Sequence, residues 1–260
     1  MSQAESHFPK SAPEKSLVTI STPFPDKPTI FLLKLHHGAE NRFTVAFVDA
    51  LNEALDYVDN IMDNLPEEDA NIGGALISTG SGKFYSNGLD IESAMANAEV
   101  FYPKFLALIA RMLIFRLPTV AAINGHAFAG GCMFSLAHDY RIMRSDRGYI
   151  CMNEVDIPLG LLPAMAAIVK CKINQPNALR QCVLEGRRFP AKEAVELGFV
   201  DKAVDEKAVL PTALSVGKLA STKAKIRGQV IHQLKAEIYR ETVIHLLGNE
   251  LSPAGYLSKL

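Results

Sequence analysis

Ser86-Asn87-Gly88-Leu89-Asp90 and Ala129-Gly130-Gly131-Cys132 are two short glycine-bearing stretches on which the reading of this chain turns. Asn87-Gly88 tolerates positive φ, so the backbone can reverse there and leave the next N–H, that of Leu89, pointing outward. Gly130-Gly131 lets a ligand approach the main chain where a strand gives way to a helix, whose positive N-terminal end reinforces the amide. Taken singly, each stretch suits an ordinary turn: Asp90 fits the cap of a following helix, and paired glycines also permit close strand–helix packing. Taken together, they offer two backbone donors for one oxygen on which negative charge develops.

Outward from these turns, strands and helices alternate. Leu17 to Thr22 and Thr29 to Leu35 are β-rich runs on either side of Pro23-Phe24-Pro25-Asp26, the pattern of a hairpin. Between Thr44 and Leu65, Phe47, Leu51, Leu55, Val58 and Ile61 recur on one helical face. Gly73 to Ser78 and Thr119 to Ile123 are short apolar runs suited to buried strands, with a helix over Ala94 to Phe115 between them. This alternation predicts an α/β fold with a parallel sheet. Beyond Pro163 almost only helical periodicity remains, over Ala164 to Cys171, Asn177 to Leu184, Ala191 to Leu197 and, with breaks, Glu206 to Leu247. Residues 1–16 read as a disordered leader, 17–204 as the body and 205–257 as a C-terminal helical region.

Composition excludes several function classes. With 48% hydrophobic and 21% charged residues and a formal net charge of -1, the chain has the profile of a soluble globular protein. It lacks the basic excess expected of a nucleic-acid or anionic-membrane binder. No apolar run has the length of a membrane span, and the polar, proline-containing start is not a signal peptide. Cysteines 132, 151, 171 and 182 form no CxxC pair and have no histidine at zinc spacing, so they read as reduced, mostly buried thiols and not as a metal site. Ser258-Lys259-Leu260 matches the receptor-read peroxisomal address, which makes an import receptor an expected partner.

Other motifs weigh less. Gly80-Ser81-Gly82-Lys83 fails as a phosphate loop, because Ile77 stands where its first glycine belongs and Phe84 where Ser or Thr must follow. His126 and His138-Asp139 lack a nucleophile elbow, so satisfied polar groups are expected there. Lys223, Lys225, Arg227 and Lys235 read as a solvated basic face. Glu154, between an apolar strand end and a prolyl turn, is either a solvated or capping acid or a carboxylate of raised pKa fit to act as a base.

Read in order, these segments resemble the crotonase (enoyl-CoA hydratase/isomerase) superfamily from Leu17 to Val204. The likeness is carried by Glu40-Asn41-Arg42-Phe43, by Phe84-Tyr85-Ser86-Asn87-Gly88-Leu89-Asp90 and by the run from Pro118 through Asn124-Gly125-His126-Ala127-Phe128 to Cys132. Phe189-Pro190-Ala191-Lys192-Glu193-Ala194 through Gly198-Phe199-Val200 matches the family pattern A-x-E-A-x-x-x-G-x-V. The resemblance implies a spiral of ββα units with a C-terminal helical region that builds trimers or hexamers. It places two oxyanion-binding amides on Leu89 and Gly130, and an acyl-CoA substrate against Ser86, Asn87, Gly88, Leu89, Asp90, Gly130 and Met133.

Hydratases of the family carry two glutamates, the first directly after Gly-Gly-Cys, where this chain has Met133. A thioether exchanges no proton, so addition of water by two carboxylates loses a partner. The second glutamate falls on Glu154, in a segment resembling Δ3,Δ2-enoyl-CoA isomerases, although Pro158 departs from the usual glycine. The expected reaction therefore shifts the double bond of a 3-enoyl-CoA to give the trans-2-enoyl-CoA, in peroxisomal fatty acid β-oxidation. Glu154 is the expected base, Met133 an apolar wall and Arg42 a neighbour of the CoA phosphates. No metal or redox cofactor is expected. The rival expectations are a hydratase relying on Asp156 or a bound water, a secondary-metabolism acyl-CoA enzyme, and a non-catalytic acyl-CoA-binding subunit.

Overall fold

The computed structural model describes residues 5–157 and 160–248. Pro158, residues 249–257 and the Ser258-Lys259-Leu260 address lie outside the described residues. Among the described residues ten strands run in chain order as β1 (Ser6–Phe8), β2 (Val18–Ser21), β3 (Ile30–Leu35), β4 (Ala75–Thr79), β5 (Phe84–Ser86), β6 (Thr119–Ile123), β7 (His126–Phe128), β8 (Tyr140–Arg144), β9 (Ile150–Cys151) and β10 (Lys202–Val204). The helices are α1 (Val45–Asp63), α2 (Ile91–Ala96), α3 (Ala98–Leu113), α4 (Gly130–Leu136), α5 (Pro163–Lys172), α6 (Pro176–Val183), α7 (Ala191–Glu196), α8 (Glu206–Ser221), α9 (Gln229–Ile238) and α10 (Arg240–Leu247).

The large sheet has the order β1-β2-β3-β4-β6-β8-β10, and β5-β7-β9 form a second, smaller sheet. The hairpin pairs β2 and β3 antiparallel, Val18 opposite Leu35, and from β3 onward every pairing in both sheets is parallel. The chain thus contributes one strand to the large sheet, one to the small sheet and then a helix, repeatedly, which is the ββα spiral. Both faces of the large sheet are covered, as parallel sheets require. Phe31, Leu33 and Leu35 of β3 join the main core with α1 and α3, while Ile30 and Leu32 face Val209 and Ala213 of α8. The two-residue alternation of a strand divides the side chains between these cores.

Local chemistry starts the elements where the sequence indicates. The Thr44 side chain accepts from the Phe47 N–H and caps α1. Four expectations need correction. The disordered leader is wrong from Ser6 onward: β1 pairs antiparallel with β2, and Phe8 is buried against the Tyr57 ring. An edge strand with a free row of amides and an apolar slot beside it captures even a short polar segment. The single helix over Ala94–Phe115 is two, because Asn97, with φ -143° and ψ 45°, breaks it between α2 and α3. The helical tail is preceded by an unforeseen strand, β10, which pairs with β8 at the sheet edge. Lys235 is not on a solvated face: at 7% exposure its ammonium donates to the carbonyls of Phe115 and Leu117 and to Asp139. That buried pair fastens α9 to the body, and removing one partner alone would cost about 3–5 kcal/mol.

Candidate active site

In the small sheet the strands are parallel, with Ser86 opposite Ala127 and Phe128 opposite Cys151. Their C-terminal ends therefore point the same way, and the segments leaving them, 86–90, 128–131 and 151–157, converge on one side of the sheet. The sequence separates these segments widely; the parallel pairing brings them together.

The first segment turns at Gly88, whose φ is 82°. Phe43 and Leu89 form an isolated parallel bridge in which Phe43 N–H donates to the Gly88 carbonyl (2.8 Å) and Asp90 N–H to the Phe43 carbonyl (3.0 Å). In parallel pairing the residue between two such bonds turns its own N–H to the opposite side. That residue is Leu89, and among the described residues its amide has no acceptor. On the facing segment Ala129 has φ 48° and ψ -114°, a strained conformation for a residue with a Cβ. Gly130 then opens α4, where first-turn amides lack helical partners. The two turns touch: a Cβ on Gly88 would lie 2.9 Å from the Phe128 carbonyl oxygen and 3.2 Å from the Gly130 nitrogen. Likewise a Cβ on Gly130 would lie 2.6 Å from Leu89 Cδ2. Only glycines fit this approach. Because α4 has seven residues, its first-turn amides matter more than any long-helix dipole.

Across from them a one-turn helix, Glu154–Asp156, follows β9. The Glu154 Oε2 is buried and has no hydrogen-bond partner among the described residues. Burial raises its pKa from the usual carboxylate value to about 7, opposed only by a bond from its own backbone N–H. A cavity of about 510 Å³ opens between the acid and the amide turns. Its wall includes Leu89, Phe128, Ala129 and Glu154, an apolar set of Ile91, Tyr102, Ile157, Leu162 and Met165, and two cations, Arg42 and Arg188. Glu154 is the only carboxylate among the described residues lining it.

The expected residues divide accordingly. Asn87, Leu89, Glu154 and Arg42 line the cavity. Gly88 and Gly130 stand directly behind the lining and shape it. Three side chains expected at the substrate are engaged elsewhere. The buried Ser86 hydroxyl donates to the Asn41 carbonyl at 2.7 Å and accepts from the Gly88 N–H. The Asp90 carboxylate caps α2 by accepting from the Ser93 N–H at 2.9 Å, the turn reading of that residue. Met133 is 1% exposed and belongs to the core, because all of α4 is enclosed, so it is not the expected cavity wall. Asp156, the rival acid, is exposed and faces the Gly186 turn.

His138 is a satisfied core group, holding Ser78 Oγ at 2.7 Å and the Phe134 carbonyl at 2.8 Å, with its pKa pushed down to about 3 by burial. Among the described residues no hydrolytic triad forms around it. Cys132, Cys151 and Cys182 are buried free thiols and Cys171 is half-buried. The sequence reading missed Arg188, which stacks its guanidinium over the Phe128 ring (5.7 Å) at the cavity. Its position just before the matching Phe189-Pro190-Ala191 stretch was the available signal.

Residues 26–249 match the family model described as enoyl-CoA hydratase/isomerase. Enoyl-CoA delta isomerase 3 of Arabidopsis thaliana is 35% identical over 237 residues, covering 86% of this chain and 94% of the relative. The peroxisomal enoyl-CoA delta isomerase 1 of the same plant is 33% identical, covering 84% and 90%. The crystal structure of human mitochondrial delta3-delta2-enoyl-CoA isomerase superposes with a TM-score of 0.71 at 22% identity, over 94% of this chain and 98% of that one. At that identity the superposition speaks for the fold.

Proposed function

This chain belongs to the enoyl-CoA hydratase/isomerase family, and from that premise we propose that it is an enoyl-CoA isomerase, converting 3-enoyl-CoA to trans-2-enoyl-CoA. The observation that carries this reading is the solitary carboxylate: among the described residues Glu154 alone of the acids lines the cavity, with an unpartnered oxygen and a pKa near neutrality. Water addition needs one group to activate water and another to deliver a proton. A double-bond shift needs one group that takes a proton from C2 and returns it at C4.

In the proposed cycle the thioester oxygen accepts from the Leu89 and Gly130 N–H groups. As ionised Glu154 removes the C2 proton, charge flows to that oxygen, and each amide lowers the barrier by roughly 3 kcal/mol. The dienolate carries negative charge at C4 as well, and the protonated Glu154 returns the proton there. A pKa near 7 suits a group that must be base and then acid within one turnover. No metal or redox group takes part, and CoA arrives with the substrate. Arg42 and Arg188 suit its phosphates, while Ile91, Leu162 and Met165 suit its acyl chain. The position of Asp156 speaks against the hydratase rival, since an exposed acid outside the lining cannot hand a proton to a substrate within it.

Two finer readings go with this assignment. The peroxisome is the proposed location, supported by relatives named peroxisomal and by the Ser258-Lys259-Leu260 expectation. A homo-oligomer is proposed, supported by Val230, Leu234 and Ile238, which repeat every fourth residue along the outer face of α9, the latter two 60% and 69% exposed. The test of function is incubation with 3-hexenoyl-CoA and, separately, trans-2-hexenoyl-CoA. Conjugated-enoyl absorbance growing from the first without hydroxyacyl product from the second is expected. Efficient hydration of the second would overturn the isomerase reading, and turnover of neither would favour the non-catalytic binding subunit.

A further inference from the structure

Asn41 is 1% exposed and, although not glycine, has φ 48°. A buried asparagine stays in the left-handed region only where its surroundings fix it there. Its N–H donates to the His37 carbonyl at 3.0 Å, its Nδ2 donates to the Tyr85 carbonyl at 3.1 Å, and its own carbonyl accepts from Ser86 Oγ at 2.7 Å. Ser86 Oγ accepts in turn from the Gly88 N–H at 3.3 Å. Beside them Asn87 N–H donates to the Glu40 carbonyl, and Phe43 N–H to the Gly88 carbonyl, both at 2.8 Å. The turn at 40–43 thus grips Tyr85, Ser86, Asn87 and Gly88 in succession, immediately ahead of the Leu89 amide.

Neither Asn41 nor Ser86 lines the cavity. Among the described residues Asn41 Oδ1 is buried without a partner, so the Nδ2 bond alone sets which way the amide faces; flipped, it would set oxygen against the Tyr85 carbonyl. A residue kept only for packing gains nothing from an orphaned acceptor, whose desolvation costs stability. We propose that Asn41 and Ser86 are positioning residues that hold the Leu89 N–H where it and the Gly130 N–H reach one thioester oxygen together, which rests on the assignment of those two amides above. Hydrogen bonds weaken steeply with angle, and misplacement by about 1 Å can cost about 10²-fold in rate. The four-residue grip suppresses that movement.

Asn41→Gly isolates the side chain, because glycine keeps the left-handed backbone without strain. Ser86→Ala removes only the hydroxyl. For each variant kcat and KM are measured with 3-hexenoyl-CoA, and the thioester carbonyl stretch of bound trans-2-hexenoyl-CoA by difference infrared spectroscopy. The expected result is a kcat lower by about 10–100-fold, KM within about threefold, and partial loss of the carbonyl downshift that the parent imposes. Variants that melt earlier yet keep parental kcat per folded molecule and the full downshift would overturn the proposal, since a structural role moves only the melting temperature. Should Asn41→Gly fail to fold, Ser86→Ala decides by the same readouts. If the parent neither isomerises nor shifts the carbonyl, the amide assignment fails and positioning with it. If the parent does both and the variants match it, positioning alone fails.

Discussion

The two sides of the cavity are built on opposite principles. On the amide side, residues 85–90 are bonded to the 40–43 turn at almost every step, and Ala129 is held in a strained conformation beside them. On the acid side, Glu154 rides a single helical turn with a carboxyl oxygen that bonds to none of the described residues. The contrast suits their proposed tasks. Donors that stabilise developing charge work best when preorganised, because they then need no reorganisation during reaction. A carboxylate that must serve two carbons cannot be tied to a competing donor, and keeping it free in an apolar setting raises its pKa.

The largest test of this contrast removes the acid. Glu154→Gln is expected to lower isomerase kcat roughly 10²–10⁴-fold while leaving binding of trans-2-hexenoyl-CoA, measured by calorimetry, close to parental. Retained turnover would place the proton transfer elsewhere. Next is the amide side: Gly88→Ala forces a Cβ to 2.9 Å from the Phe128 carbonyl at φ 82° and should cut kcat by about 10²-fold. A full-rate Gly88→Ala enzyme would mean that the Leu89 amide is not used.

Two smaller effects follow from titration and from the neighbouring acid. As a base Glu154 works ionised, so kcat/KM should rise with pH through about 7 in the parent. The stability consequence has the reverse slope. Because the folded-state pKa is raised, the folded protein holds this proton over the window from the ordinary carboxylate value of 4.5 to about 7, where the unfolded chain has released it. The stabilisation is complete below that window and is lost as pH rises through it. Glu154→Gln should therefore melt several degrees above the parent at pH 8 and near it at pH 4.5, a difference read by calorimetric scans. The smallest effect is expected at the exposed neighbour, where Asp156→Asn should change kcat by less than about twofold. A large loss there would revive the two-acid hydratase.

Much of this was legible in local sequence. The helix read over Thr44 to Leu65, the β2–β3 hairpin, β6 and the helices of the C-terminal third follow from short-range chemistry, and the structure has them within a residue or two. The elements missed are ones whose reason is distant. Ser6–Phe8 and Lys202–Val204 are strands because a sheet edge accepts them, not because their residues favour extension. Lys235 reads as a surface cation until its partners, the Phe115 and Leu117 carbonyls in the loop after α3 and the Asp139 carboxylate, are in place. At the site, Ser86, Asp90 and Met133 sit in the right motifs, but the motif cannot tell a side chain that faces a ligand from one that braces the backbone.

The resemblance to the crotonase superfamily supplies the spiral and the observation that Met133 stands where hydratases carry an acid; residue order alone specifies an α/β fold with a parallel sheet and glycines at 88 and 130 that free the backbone. Those are consequences of steric freedom, hydrophobic period and residue type, which act over a few neighbours. Packing in three dimensions brings two turns far apart in the chain into contact, and shields a carboxyl oxygen of Glu154 while leaving Asp156, two residues on, exposed. A carboxyl group's pKa and a peptide donor's aim are set by what surrounds them in space, and parallel pairing of three short strands creates those surroundings.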